Sequence, residues 1–248
     1  MILPCLHLAT RTGRLISLVI ATAALAGCGG VMGIQPVSQV RVIDVSPDAP
    51  ALDIHQNSSA ALYNVGFGTV SSYIPIPAGA YTHSAYTAST EQQLAVVRSS
   101  FATGGQYTVL TGNVTANLQM TVLKDQSTPA PSGQVALRFL DQVTRVGAVD
   151  IYLLPPGAAA ISVAPFVTGA VFGLNTGYLN TPSGTYSIVA YPTGTLPTNS
   201  VTPAYTGSQT NYPSTSARTI ILIDQPQVQP ASASTLQVIS AADYDAAS

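Results

Sequence analysis

Charge is what this 248-residue chain has least of: Asp, Glu, Lys and Arg make up 7% of it, against about 25% in an ordinary soluble domain. Its solubility must come from Ser, Thr, Asn and Gln. Tryptophan is absent, and the only cysteines are Cys5 and Cys28. Three histidines and one glutamate, Glu91, leave few groups to serve as base or nucleophile. No G-x-S-x-G, H-E-x-x-H, Walker or dinucleotide pattern occurs, and nothing places a serine beside His55 or His83. The composition therefore predicts a protein that is not an enzyme, with a hydrolase as the lesser reading. Beyond the N-terminus, no stretch carries a helical period of useful length.

That N-terminus reads as an export signal. Arg11 and Arg14 close a basic region, residues 15–24 form an apolar run too short to span a bilayer comfortably, and small residues follow. Leu25-Ala26-Gly27-Cys28 resembles the bacterial lipobox, which implies cleavage before Cys28 and acylation of its sulfur and new amino group. Several acyl chains together hold a protein stably at a membrane, where one alone is marginal. Cys5 leaves with the signal, so no disulfide framework or thiolate metal site can form. Gly29, in place of an aspartate, favours the outer membrane over the inner by analogy with enteric sorting. Without the signal, six basic residues face ten acidic ones, a formal charge of −4 that argues against nucleic acid as a partner.

Internal repetition sets the domain organisation. Arg41, Asp44 and Asp53 recur as Arg138, Asp141 and Asp150 at a constant offset of 97, and Phe67, Tyr73, Pro77, Gly79 and Tyr81 recur as Phe172, Tyr178, Pro182, Gly184 and Tyr186 at 105. Two copies of one domain follow. The expected boundaries are a lipoprotein signal peptide over 1–27, a tether over 28–37, a first domain over 38–127, a linker over 128–133 and a second domain over 134–248. In the first copy, short runs rich in Val, Ile, Thr and Tyr at 39–45, 51–55, 72–76, 81–86, 94–99, 106–111 and 118–123 alternate with turn residues. Seven such strands predict an all-β fold of two tandem immunoglobulin-like antiparallel β-sandwiches. Pro77-Ala78-Gly79 and Pro182-Ser183-Gly184 read as hairpin turns across which Tyr73 could meet Tyr81, and Tyr178 meet Tyr186.

The segment from Val45 to His55 carries two aspartates, two prolines and a histidine. Alternation puts Leu52 and Ile54 inside, and Asp53 and His55 outside. Val42 to Ile54, with Phe67 to Tyr73 and Pro77 to Tyr81, resembles the repeat of the bacterial domain-of-unknown-function family 4397, found in secreted and lipid-anchored proteins. The resemblance implies an all-β module at the cell surface or in the periplasm and carries no activity. The second copy matches less closely, since residues 142–148 lack both prolines and Asp48. Asp44, Asp48 and Asp53 are candidate calcium ligands, because hard cations take several carboxylate and carbonyl oxygens. No other cofactor is expected. Against calcium stands the absence of a D-x-D-x-D-G loop; the competing reading has these carboxylates accepting from backbone N–H groups or pairing with Arg41.

Residues 192–216, rich in Thr, Ser, Pro and Asn, form the main insertion of the second copy, and long loops are often functional. Tyr205 and Tyr212 could stack on a sugar or peptide, or pin the loop to its own domain. The sequence thus predicts a non-catalytic, lipid-anchored envelope protein acting as an interaction or structural module with an unknown protein or glycan partner. A carbohydrate- or peptide-binding module using the 192–216 loop is the alternative, and a calcium-dependent adhesin is a third reading.

Overall fold

The computed structural model describes residues 37–198, 200–225 and 236–245. The signal segment, Cys28 and all of the tether but Val37 lie outside the described residues. Among the described residues no helix is long and apolar enough to cross a membrane.

The fold is nearly all β, as the alternating runs predict. The first half contains β1 (Val37–Asp44), β2 (Leu52–Gln56), β3 (Ser59–Val65), β4 (Ile74–Pro77), β5 (Gly79–Thr87), β6 (Gln93–Phe101), β7 (Gln106–Gly112) and β8 (Gln119–Asp125). The second contains β9 (Gln134–Asp141), β10 (Val149–Leu154), β11 (Val167–Ala170), β12 (Asn175–Pro182), β13 (Gly184–Pro192), β14 (Tyr205–Thr206), β15 (Thr210–Tyr212), β16 (Ala217–Asp224) and β17 (Leu236–Tyr244). Each half is a sandwich of two sheets: β4-β1-β7-β8 on β3-β2-β5-β6, and β12-β9-β16-β17 on β11-β10-β13-β14, with β15 also on β13. Most ladders are antiparallel. The exceptions are β1 beside β7 and β9 beside β16, which run parallel in matching positions.

Alternation explains why β1 and β9 are buried almost throughout. Val40 and Val42 enter the first core with Leu52, Ile54 and Val109, while Val135, Leu137 and Phe139 enter the second with Ile151 and Ile220. The opposite faces are covered by the other half. Ile43, Val45, Leu110, Leu140, Ile221, Ile223 and Ala241 form an apolar cluster shared by both. Beside it lies an exchanged pair of ion bridges: Arg41 binds Asp243, and Arg138 Nη2 lies 2.5 Å from Asp125 Oδ1. Both arginines are about 2% exposed. Thr108 receives Nε of Arg41 and donates to Asp125, and Thr219 receives Nε of Arg138 and donates to Asp243.

One detail differs from the sequence reading. The Pro-x-Gly turns do not make hairpins, because β4 pairs with β1 while β5 lies in the other sheet between β2 and β6. The tyrosines on either side therefore part. Tyr73 and Tyr178 lie under the guanidinium groups of Arg41 and Arg138, each 4.7 Å from the ring centroid, whereas Tyr81 and Tyr186 donate to the carbonyls of Pro77 and Pro182. The segment between the halves is held against the second half, with Ala130 buried and its N–H bonded to the Thr215 carbonyl.

Candidate functional site on the outer face of the first sandwich

Strand β2 places its residues as alternation requires: Leu52 and Ile54 are fully buried, and Asp53 and His55 face outward. Asn57, in the left-handed region at φ 55°, turns the chain between β2 and β3, and its side chain accepts from the Thr82 N–H. This turn carries β3 back along β2 and brings Tyr63 beside the outward side chains. In the other direction Asp53 is in register with Tyr86 of β5. The His55 and Tyr86 rings lie 4.6 Å apart, and the Tyr86 hydroxyl donates to Gln93.

Asp53, His55, Asn57, Tyr63, Tyr86 and Glu91 line a depression of about 480 Å³ on this face. Asp53 accepts from the Asn64 N–H at 2.8 Å, which fixes its carboxylate at the rim. Tyr63 is 72% exposed, which is unusual for so large a ring in a strand. The surface thus combines exposed ring faces with hydrogen-bonding groups, and its lining includes no Lys or Arg.

The second half supplies an internal comparison. Asp150 is in register with Tyr191 as Asp53 is with Tyr86, and Tyr152 takes the place of His55. There the face is closed. Tyr152 and Tyr191 are 4% and 8% exposed and pack with Leu154, Ala160, Val163 and Val201, contributed in part by loops absent from the first half. Asp150 is held by the Gly169 N–H and the Thr193 hydroxyl.

The residues singled out from sequence fall elsewhere. Asp44, Asp48 and Asp53 are not brought together: Asp44 accepts from the Ser46 N–H, Asp48 from the Thr115 N–H and hydroxyl, and Asp53 from Asn64. Arg41 pairs with neither Asp44 nor Asp53; its carboxylate partners are Asp243 of the other half and, at 3.8 Å, Asp125 of β8. Among the described residues no three His, Cys, Asp or Glu side chains gather as a metal site. Tyr212 is 4% exposed in the second core, where its ring faces Tyr186, and Tyr205 packs against the same cluster. Burial pushes both phenols up from their ordinary pKa. The insertion that holds them supplies β14 and β15 to the edge of β13, and Val201 to the cover over Tyr152 and Tyr191. A smaller cavity of about 220 Å³ remains between Tyr205, Tyr212, Ile188 and Val238. His83 is 2% exposed in the first core against Phe101, and burial lowers its pKa.

Sequence reasoning missed β3, and with it Tyr63. The available signal was Asn57, a residue type that tolerates the left-handed turn conformation, between two short apolar stretches.

A solved structure described as "Alpha-glucan binding by a streptococcal virulence factor" is similar over 74% of this chain and 92% of that one, at 9% identity and a TM-score of 0.23. No curated protein matches the chain. Residues 38–152, spanning the first half together with β9 and part of β10, match the family model described as a domain of unknown function, DUF4397.

Proposed function

We propose that the protein is a non-catalytic, lipid-anchored binding module of the bacterial envelope, and that it takes carbohydrate on the outer face of the β3-β2-β5-β6 sheet. The observation that carries this is the contrast between the halves: one face is sealed by its own loops, and the matching face is open, with Tyr63 72% exposed beside a depression. A sugar presents C–H faces for aromatic rings and hydroxyls for carboxylate, amide and imidazole groups, and this lining offers both. The second half is a diverged copy of the first, a reading supported by the matching sheet orders and parallel ladders. Its insertion serves as a cover, so the first half carries the ligand.

Isothermal titration with chitotetraose and soluble peptidoglycan fragments tests this reading. Tyr63→Ala should weaken binding about tenfold or more with unchanged thermal stability, since the ring is largely in solvent. Leu196→Ala, an equally exposed change in the second half, should leave affinity intact. Failure of the wild-type protein to bind either probe, or equal loss in both variants, would count against the assignment. Anchoring through Cys28, with the outer membrane as its location, belongs to the same proposal. Cys28→Ser should appear in the soluble fraction, and its normal retention in membranes would remove the anchor.

A further inference from the structure

The end of β1 holds an arrangement that neither the fold nor the binding face accounts for. Asp44 Oδ2, Ser46 Oγ and Thr111 Oγ1 are buried without a hydrogen-bond partner, and all three residues are 0% exposed. They are neighbours by construction. Asp44 and Thr111 are in register on adjacent parallel strands, the Val45 N–H bonds to the Thr111 carbonyl at 2.8 Å, and the Ser46 N–H folds back onto Asp44 Oδ1 at 3.1 Å. The 66–71 segment closes over them, with Gly68 donating to the Asp44 carbonyl and Asp44 donating to Thr69.

Among the described residues the other buried carboxylates meet an arginine, except Asp141, which accepts from the Val143 N–H. Asp125 and Asp243 meet arginines, and Asp224 accepts from the N–H and hydroxyl of Thr144 and lies 3.4 Å from Arg145. Asp44 has only the Ser46 N–H. Burial raises its pKa and that N–H lowers it, with no charged neighbour contributing. Three oxygens are also not needed to build the corner. In the second half Val143 replaces Ser46, and Leu222 stands in register with Asp141 where Thr111 stands with Asp44. The surrounding backbone bonds are the same there, from Gly173 to the Asp141 carbonyl and from Asp141 to Leu174.

We propose that Asp44 Oδ2, Ser46 Oγ and Thr111 Oγ1 bind a small monovalent cation of the sodium or potassium kind. An all-oxygen set suits a hard cation, and one carboxylate with two neutral hydroxyls balances a single positive charge. A buried carboxylate demands such compensation or a proton. The site goes beyond the binding reading above and shares no residue with its face.

The test is the melting temperature of the purified protein in the chlorides of sodium, potassium and N-methylglucamine, at equal ionic strength and about pH 8.5. Sodium or potassium should raise it by about 3–6 °C over the organic cation, which is too large to enter. Asp44→Asn, which keeps the shape, should abolish the difference. Thr111→Val, which removes one oxygen at nearly constant volume, should reduce it. Equal melting temperatures in all three salts would overturn the proposal, and so would a difference that survives in Asp44→Asn.

Discussion

Replacing Asp125 by Ala is expected to destabilise the protein by about 3–5 kcal/mol, measured by urea unfolding. Its carboxylate receives Arg138 Nη2 at 2.5 Å, the Thr108 hydroxyl at 2.6 Å and the Tyr73 hydroxyl at 2.7 Å, and its side chain is fully buried. Removing it strands a guanidinium 2% exposed between two sheets, with Thr219 and the Lys124 carbonyl as its remaining partners. The loss comes mainly from that uncompensated charge, not from the worth of the pair itself. A paired replacement, Arg138→Met with Asp125→Leu, should therefore recover most of the stability. Asp245 gives the contrast. It too binds an arginine, Arg218, but its side chain is 59% exposed, so Asp245→Ala should change stability by less than about 1 kcal/mol. Equal effects of Asp125→Ala and Asp245→Ala would mean that the network does not hold the halves together.

Stability should also fall as pH rises, opposite to the usual behaviour of buried, paired aspartates. Burial lifts Asp44 to about 7, and burial with the nearby Asp224 charge lifts Asp141 to about 6. Asp243 is moved upward as well, by burial that its arginine only partly offsets. A carboxyl whose folded pKa exceeds its unfolded value favours folding most fully below the unfolded value, near 3.9. That contribution is lost as pH rises towards the folded pKa, here between about pH 4 and pH 7. For Asp44 alone the loss is at most about 4 kcal/mol. Unfolding measured in N-methylglucamine chloride should show higher stability at about pH 5 than at pH 8, and Asp44→Asn should flatten much of that slope. A profile that rises with pH, or one that Asp44→Asn leaves unchanged, would contradict the account.

How much of this was legible depended on whether the cause was local. The inward pair Leu52 and Ile54, and the outward pair Asp53 and His55, follow from strand alternation alone. The recurrence of Arg41, Asp44 and Asp53 is visible in the sequence, but the partners of these residues are not. Asp243 lies 202 residues from Arg41, and no local pattern announces a bond that exists only because two halves meet face to face. Scarce charges usually sit in water; here two of the few arginines are buried because the sheet face opposite β1 and β9 is covered. The parallel pairing of β1 with β7 is equally non-local. For the candidate site, Tyr205 and Tyr212 drew attention because they sit in a long polar loop, but the loop joins the sheet edge and both rings pack inward. Tyr63 has the opposite history. Its exposure depends on the absence of the cover that the second half builds from its own insertions.

Hydrogen exchange with and without a saturating glycan probe tests the central claim most directly, because it reports where binding occurs. The account predicts slowed exchange at residues 53–63 and 86–91, around Tyr63, Tyr86 and Asp53 at the rim of the depression. Protection confined to residues 192–216, with none on the outer face of the first sandwich, would contradict it and return the binding role to the loop that carries Tyr205 and Tyr212.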